Sequence, residues 1–242
     1  MQIIKCRDYD EVSFAAAKIV AHQIAENPKS VLGLPTGSTP LGMYRQLIKM
    51  YENKELDFSE VTTFNLDEYY PMKKDNDQSY YNFMHKNFFD SINIKAQNIY
   101  ILNGEATDSS AECKSYEQKL QKAGGVDLQV LGIGQNGHIG FNEPDGALNS
   151  ETHLTELTQN TIEANSRFFE KSEDVPTKSL TMGIGTILKA KRIIILAIGK
   201  EKAQATLELL SGKITTSNPA TMLSVHSDVT LIADEDALSV NR

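Results

Sequence analysis

The chain has 242 residues, 40% of them hydrophobic, enough to bury a substantial core and suited to one large α/β domain or two small ones, of which we expect one. Its 24 basic and 32 acidic side chains leave a formal charge of −8, which argues against nonspecific nucleic-acid or anionic-membrane binding; an anionic ligand would need a locally positive pocket. Cys6 and Cys113 are too few and too far apart for a disulfide framework or a metal knuckle, Lys5, Arg7 and Asp8 interrupt any leader core, and the longest aliphatic run, Ile193 to Ile198, is far too short to span a bilayer, so a reduced cytoplasmic protein is expected.

In chain order, residues 8 to 26 read as an amphipathic helix, with Asp8 and Glu11 at capping-box spacing and Val12, Ala16, Ile19, Val20 and Ile24 on one face. Val31 to Leu34 follows as a buried strand, then Pro35-Thr-Gly-Ser-Thr-Pro40 and a helix to about Tyr51, with Thr39 expected at the N-cap and Pro40 in the first turn. Such a turn can offer N–H groups and hydroxyls to an anion, although it lacks the Gly-Lys-Ser/Thr of a nucleotide-binding loop. Val61 to Leu66 reads as the next strand and runs into Asp67-Glu68, either turn formers or a catalytic carboxylate. Helices are expected over 79–90 and 108–122, with a short strand at Asn98 to Leu102 between them.

Gly124-Gly125 opens a strand from Val126 to Leu131, which feeds the stretch richest in chemistry, Leu131-Gly-Ile-Gly-Gln-Asn-Gly-His-Ile-Gly-Phe-Asn-Glu-Pro-Asp145. Its glycines suit a tight loop around a small ligand, with His138 and Glu143 facing a pocket. Residues 146 to 174 are polar, a helix at Gln159 to Phe169 and a mobile lid being the expectations there. A helix is expected at 178 to 190, a strand at Arg192 to Ala197, and a helix at 201 to 211 carrying Lys202 in its first turn, where a cation opposes the helix dipole unless an anion is near. A short helix near Pro219 to His226 and a strand at Val229 to Ile232 complete the chain. This alternation predicts a three-layer, doubly wound, mostly parallel, Rossmann-like sheet whose strand ends bring Gly37-Ser38-Thr39, Asp67-Glu68, His138 with Glu143, and Lys202 to one edge. A phosphate cradle beside carboxylate and imidazole proton carriers, with neither metal spacing nor a dinucleotide fingerprint, suggests proton transfer on a phosphorylated metabolite.

Five segments carry a resemblance: Leu32 to Pro40, Phe64 to Tyr69, Gly132 to Pro144, Asn165-Ser-Arg-Phe-Phe169 and Leu180 to Gly185. With them, over essentially its full length, the chain resembles the bacterial glucosamine-6-phosphate deaminases. The resemblance implies conversion of glucosamine 6-phosphate and water to fructose 6-phosphate and ammonia, without an external cofactor. His138 would move protons on the ring oxygens, Glu143 and Asn136 would hold and tune its imidazole, and Asp67 would take the C2 proton and return it at C1. Gly37, Ser38, Thr39, Arg167 and Lys202 would hold the phosphate, Arg167 in bidentate fashion.

Two departures bear on that reading. Some relatives have Asp where this chain has Asn136, whose amide can orient an imidazole but cannot carry a compensating charge. Relatives activated by N-acetylglucosamine 6-phosphate carry basic residues after Glu-Pro and a longer tail, whereas this chain offers His153 and Thr155 and stops at Arg242; no such allosteric site is expected. Oligomeric state is left open. A 6-phosphogluconolactonase would give no reason for Asp67 or for Phe-Asn-Glu-Pro after His138, and a non-catalytic phosphosugar-sensing domain would need neither Asp67 nor His138.

Overall fold

The computed structural model describes residues 1–166, 169, 171 and 175–239, with backbone alone at 160, 164 and 165. In chain order the elements are β1 (Gln2–Cys6), α1 (Tyr9–Glu26), β2 (Val31–Leu34), α2 (Leu41–Glu52), β3 (Thr62–Asn65), β4 (Asp67–Tyr69), α3 (Tyr80–Asn87), β5 (Ile99–Tyr100), α4 (Ser109–Lys122), β6 (Leu128–Gly132), β7 (His153–Glu156), α5 (Gln159–Ser166), β8 (Lys178–Thr181), α6 (Ile184–Leu188), β9 (Arg192–Ala197), α7 (Ala203–Leu210) and β10 (Val229–Asp234). Among the described residues, seven strands pair in the order β1-β10-β9-β6-β2-β3-β5, and every pairing in that sheet is parallel.

The sheet is buried on both faces because its strands are apolar at successive positions. Along β9, Ile193, Ile195 and Ala197 join the core shared with α4, α6 and α7, while Ile194 and Leu196 join the core shared with α1, α2 and α3. The three layers follow from this alternation. Room for one polar side chain is also built in: a Cβ on Gly33 of β2 would lie 2.1 Å from the amide oxygen of Gln129 on β6, so the glycine accommodates a buried Gln129.

Local chemistry sets the element ends. Asp8 accepts a 3.0 Å bond from the Glu11 N–H and starts α1, whereas the Glu11 carboxylate turns to the Arg7 N–H at 2.8 Å instead of completing a reciprocal box. At α2 the expected cap moves by one residue: Pro40 occupies the N-cap with no side-chain bond, and Thr39 stays in the loop. Likewise Lys202 closes a short 3-10 turn, Lys200–Lys202, and sits at the N-cap of α7.

The larger correction concerns 178–190. Instead of one helix, Lys178–Thr181 forms β8, and only Ile184–Leu188 is helical. Asp67–Tyr69 is likewise extended, and a second sheet of order β4-β8-β7 forms with antiparallel pairing, Asp67 opposite Thr181 and His153 opposite Thr181 on the other side. Pairing with two neighbours supplies backbone partners that a helix would otherwise provide, and this overrides local propensity. Gly183 and Gly185 then pass so close to Ser150 that a Cβ would meet its atoms at 2.6 and 2.1 Å respectively. β1 is a further strand, absent from the sequence-based expectation; it is a largely exposed edge strand, so its pattern carries no strong period.

Candidate active site

Because the seven strands are parallel, β2, β3, β6 and β9 deliver their following loops to one edge of the sheet. The strand order runs outward from β2 through β3 to β5, then reverses to β6 on the other side of β2, leaving a crevice at the point of reversal. A cleft of about 580 Å³ lies there, lined by Gly37, Ser38 and Thr39 after β2, Asp67 after β3, Gly134, His138 and Gly140 after β6, and Gly199 and Lys202 after β9. Of the residues expected at the site, these come together; Asn136 and Glu143 stand behind His138, and Arg167 lies outside the described residues.

Asp67 is only 7% exposed. Burial, reinforced by the neighbouring charge of Glu68, pushes its carboxyl up to about 8. Its neighbour has a different task. The Glu68 carboxylate accepts bonds of 2.9 Å from the N–H groups of Tyr69, Tyr80 and Tyr81, fastening the start of α3 to β4. Burial pushes Glu68 up to about 7 against the pull of those donors.

The imidazole is held by close packing. His138 Nδ1 lies 3.4 Å from Glu143 Oε2, near enough to feel its charge though not aligned as a hydrogen bond. A Cβ on Gly134 would fall 2.4 Å from the His138 ring, so the missing side chain at 134 is what lets the ring lie there. Gly137 and Gly140 have φ of 84° and 56°, the left-handed region that lets this loop turn back on itself within a few residues.

Asn136 bonds the groups around the imidazole. Its Oδ1 accepts the backbone N–H of His138 at 3.2 Å and its Nδ2 donates to Glu143 Oε2 at 2.7 Å, so the amide acts on the imidazole through the loop and through Glu143. Glu143 is 8% exposed. Burial opposes its ionisation, but the pull of His138, Thr161 and Asn136 outweighs that cost and holds its carboxyl down at about 2. It therefore stays anionic beside His138 at neutral pH.

Several lining residues are not singled out by sequence patterns. Tyr9, the first residue of α1, donates from its hydroxyl to the Ser38 carbonyl at 3.1 Å and accepts the Gly42 N–H at 2.7 Å, tying the 36–40 turn to the start of α2. Tyr80, Thr161 and Glu163 also face the cleft. No motif marks them, because each reaches the site from an element remote in sequence from the glycine-rich loops. Among the described residues no cluster of His, Cys, Asp and Glu is arranged to hold a metal ion.

A buried carboxylate and a packed imidazole at the switch point of an α/β sheet, beside a hydroxyl-lined turn at a helix start, make a site suited to moving protons on a small anionic ligand. The chain belongs to the family of glucosamine-6-phosphate isomerases and 6-phosphogluconolactonases, whose model matches residues 9–232. It is 55% identical over 240 residues to the glucosamine-6-phosphate deaminase of Thermoanaerobacter sp. (strain X514), covering 99% of this chain and 95% of that protein. It is equally 55% identical over 239 residues to that of Clostridium novyi (strain NT), covering 99% of each. Among solved structures, a monomeric glucosamine-6-phosphate deaminase superposes with a TM-score of 0.96 at 47% identity, covering 98% of this chain and 99% of that one. The 6-phosphogluconolactonase of Thermotoga maritima shares the fold, with a TM-score of 0.76 at 21% identity over 97% of this chain and 99% of that one.

Proposed function

We propose that this chain is a glucosamine-6-phosphate deaminase, converting D-glucosamine 6-phosphate and water to D-fructose 6-phosphate and ammonia. The observation that carries the reading is that Asp67 and His138 open into the same cleft as Ser38, Thr39 and Lys202. An aldose–ketose shift needs one base that reaches C2 and C1 in turn and a second group that serves the ring oxygens. His138 takes the anomeric proton and returns it to the ring oxygen; Asp67 then removes the C2 proton, the enolamine is reprotonated at C1, and water releases ammonia from the C2 imine. A cationic amine drawn in beside Asp67 pulls its pKa down and supplies the ionised base when substrate is bound. No cofactor enters this sequence.

The phosphate is assigned to Gly37, Ser38, Thr39 and Lys202, with Arg167 added on the resemblance alone. The same reading takes residues 1–242 as one cytoplasmic catalytic domain with no control by acetylated sugar phosphate; the lid expected within 146–174 falls partly on 167, 168, 170 and 172–174, which lie outside the described residues, and the described part includes β7, paired with β8. Among the described residues, no helix is long and apolar enough to cross a membrane. Incubation with glucosamine 6-phosphate and measurement of ammonia together with fructose 6-phosphate tests the reading: equal release supports it, and hydrolysis of 6-phosphogluconolactone in place of deamination refutes it.

Two substitutions probe the supporting groups. Tyr9→Phe keeps the ring and loses both hydroxyl bonds at the 36–40 turn. The expected result is a KM raised roughly fivefold, about 1 kcal/mol for the net loss of hydrogen bonding, with kcat within about twofold; an unchanged KM would dissociate this turn from the phosphate. Asn136→Asp puts a second carboxylate where the amide now donates to Glu143 at 2.7 Å. Two carboxylates at that distance cannot both ionise without cost, so the pair keeps a proton to higher pH. The enzyme should stay active at pH 8 while the acid limb of kcat/KM moves up by about one unit. An unmoved limb would mean that residue 136 does not influence Glu143 during turnover.

A further inference from the structure

The polar stretch after Glu143 contains a residue that the mechanism above does not use. Thr161, in the first turn of α5, is 3% exposed yet lines the cleft. Its hydroxyl donates in a short bond to Glu143 Oε1, while Asn136 donates to Oε2 of the same carboxylate at 2.7 Å. Behind it, the Thr158 hydroxyl donates to the Thr161 oxygen at 3.2 Å and accepts the Thr161 N–H at 3.4 Å. The hydroxyls thus run in series, Thr158 to Thr161 to Glu143, each polarising the next. The following residue, Ile162, packs with Tyr69, Phe141 and Leu157 and fixes the rotation of α5 about the cleft.

We propose that Thr161 is a positioning residue for the reaction, which orients the Glu143 carboxylate toward His138 through its hydroxyl and thereby makes ring opening depend on α5 being seated against the cleft. A carboxylate bonded at both oxygens cannot rotate away from the imidazole. The choice of threonine follows: the hydroxyl is needed, the carboxylate has no other described donor on Oε1, and a larger side chain would enter the cleft. This inference rests on the deaminase reading for its kinetic consequence, while its structural content stands apart from the substrate. Among the described residues, the other charged side chains lining the cleft are Asp67 from β4, Glu163 from α5, and Glu201 and Lys202 after β9; none is altered in the test.

The test uses the full-length protein carrying Thr161→Val, which keeps the shape and removes the hydroxyl, and Thr161→Ser, which keeps the hydroxyl. With glucosamine 6-phosphate, Thr161→Val is expected to lower kcat about tenfold with KM within about twofold, and Thr161→Ser to recover most of the loss. In a Glu143→Gln background, where no carboxylate charge remains to be oriented, adding Thr161→Val should change kcat by less than about twofold. Equal penalties in the two backgrounds, or failure of serine to rescue, would overturn the proposal. A second readout needs no turnover: carboxyl carbon NMR of Glu143 should give an apparent pKa raised by at least about half a unit in Thr161→Val and restored in Thr161→Ser. A wild-type protein that releases no ammonia would refute the deaminase reading, and the NMR arm would still decide for or against Thr161.

Discussion

Replacing Asp67 with Asn should lower kcat about 10³-fold, roughly 4 kcal/mol of barrier, while KM for glucosamine 6-phosphate changes little. The amide matches the carboxylate in shape and can still take part in hydrogen bonding, so what is lost is the ability to accept the C2 proton and deliver it to C1. Ammonia release measured across pH checks this, and full turnover by the variant would remove Asp67 from the role of base.

The same substitution should act on stability in the opposite sense. Asp67 has an ordinary value of 3.8 and a folded value of about 8 because burial penalises its charge. Between those values the folded chain keeps a proton that the unfolded chain has released, so the wild-type protein loses stability as pH rises through that window. The amide of the variant has no such proton to lose. The unfolding midpoint of Asp67→Asn relative to wild type should therefore climb between pH 5 and pH 8, and level off above it. A difference that stays flat with pH would mean that Asp67 is ionised in the folded protein throughout.

The second large effect is expected at a residue with no functional group. Gly134→Ala places a methyl 2.4 Å from the His138 ring atoms. The φ at 134 is not in the left-handed region, so the backbone can accept alanine and the conflict falls on the imidazole. Swinging the ring out of its slot breaks its approach to Glu143, and a displacement of about 1 Å at a catalytic group costs on the order of 10² in rate. The expected outcome is a loss of kcat of that size with an unfolding midpoint within a few degrees of wild type. Unimpaired turnover would mean that the ring works from another position.

Both effects trace to features that differ in how visible they are along the chain. The hydrophobic runs at 31–34, 61–66 and 192–197 and the intervening amphipathic stretches announce a parallel sheet covered on both faces, because a strand buried on both sides must be apolar at successive positions. The clustering of glycines around His138 announces a tightly turning loop for an equally local reason: few other residues permit such turns. The stretch 178–190 is misread as one helix because its apolar residues suit either period, and only the antiparallel partners on either side decide for a strand at 178–181.

What the sequence by itself determined, then, is the layered α/β architecture and the crevice where the loops after β2, β3, β6 and β9 meet, with Asp67 and His138 as its candidate proton carriers, since these depend on periodicity and on side-chain chemistry at strand ends. Tertiary structure alone decided how those groups are tuned. Burial beside Glu68 raises Asp67, a gap at Gly134 admits the imidazole, Asn136 reaches Glu143 and not the ring, and Tyr9 and Thr161 arrive from helices 29 and 18 residues from the groups they bond. Contacts of that kind leave no local pattern, because each is set by how elements pack and not by the residues beside it.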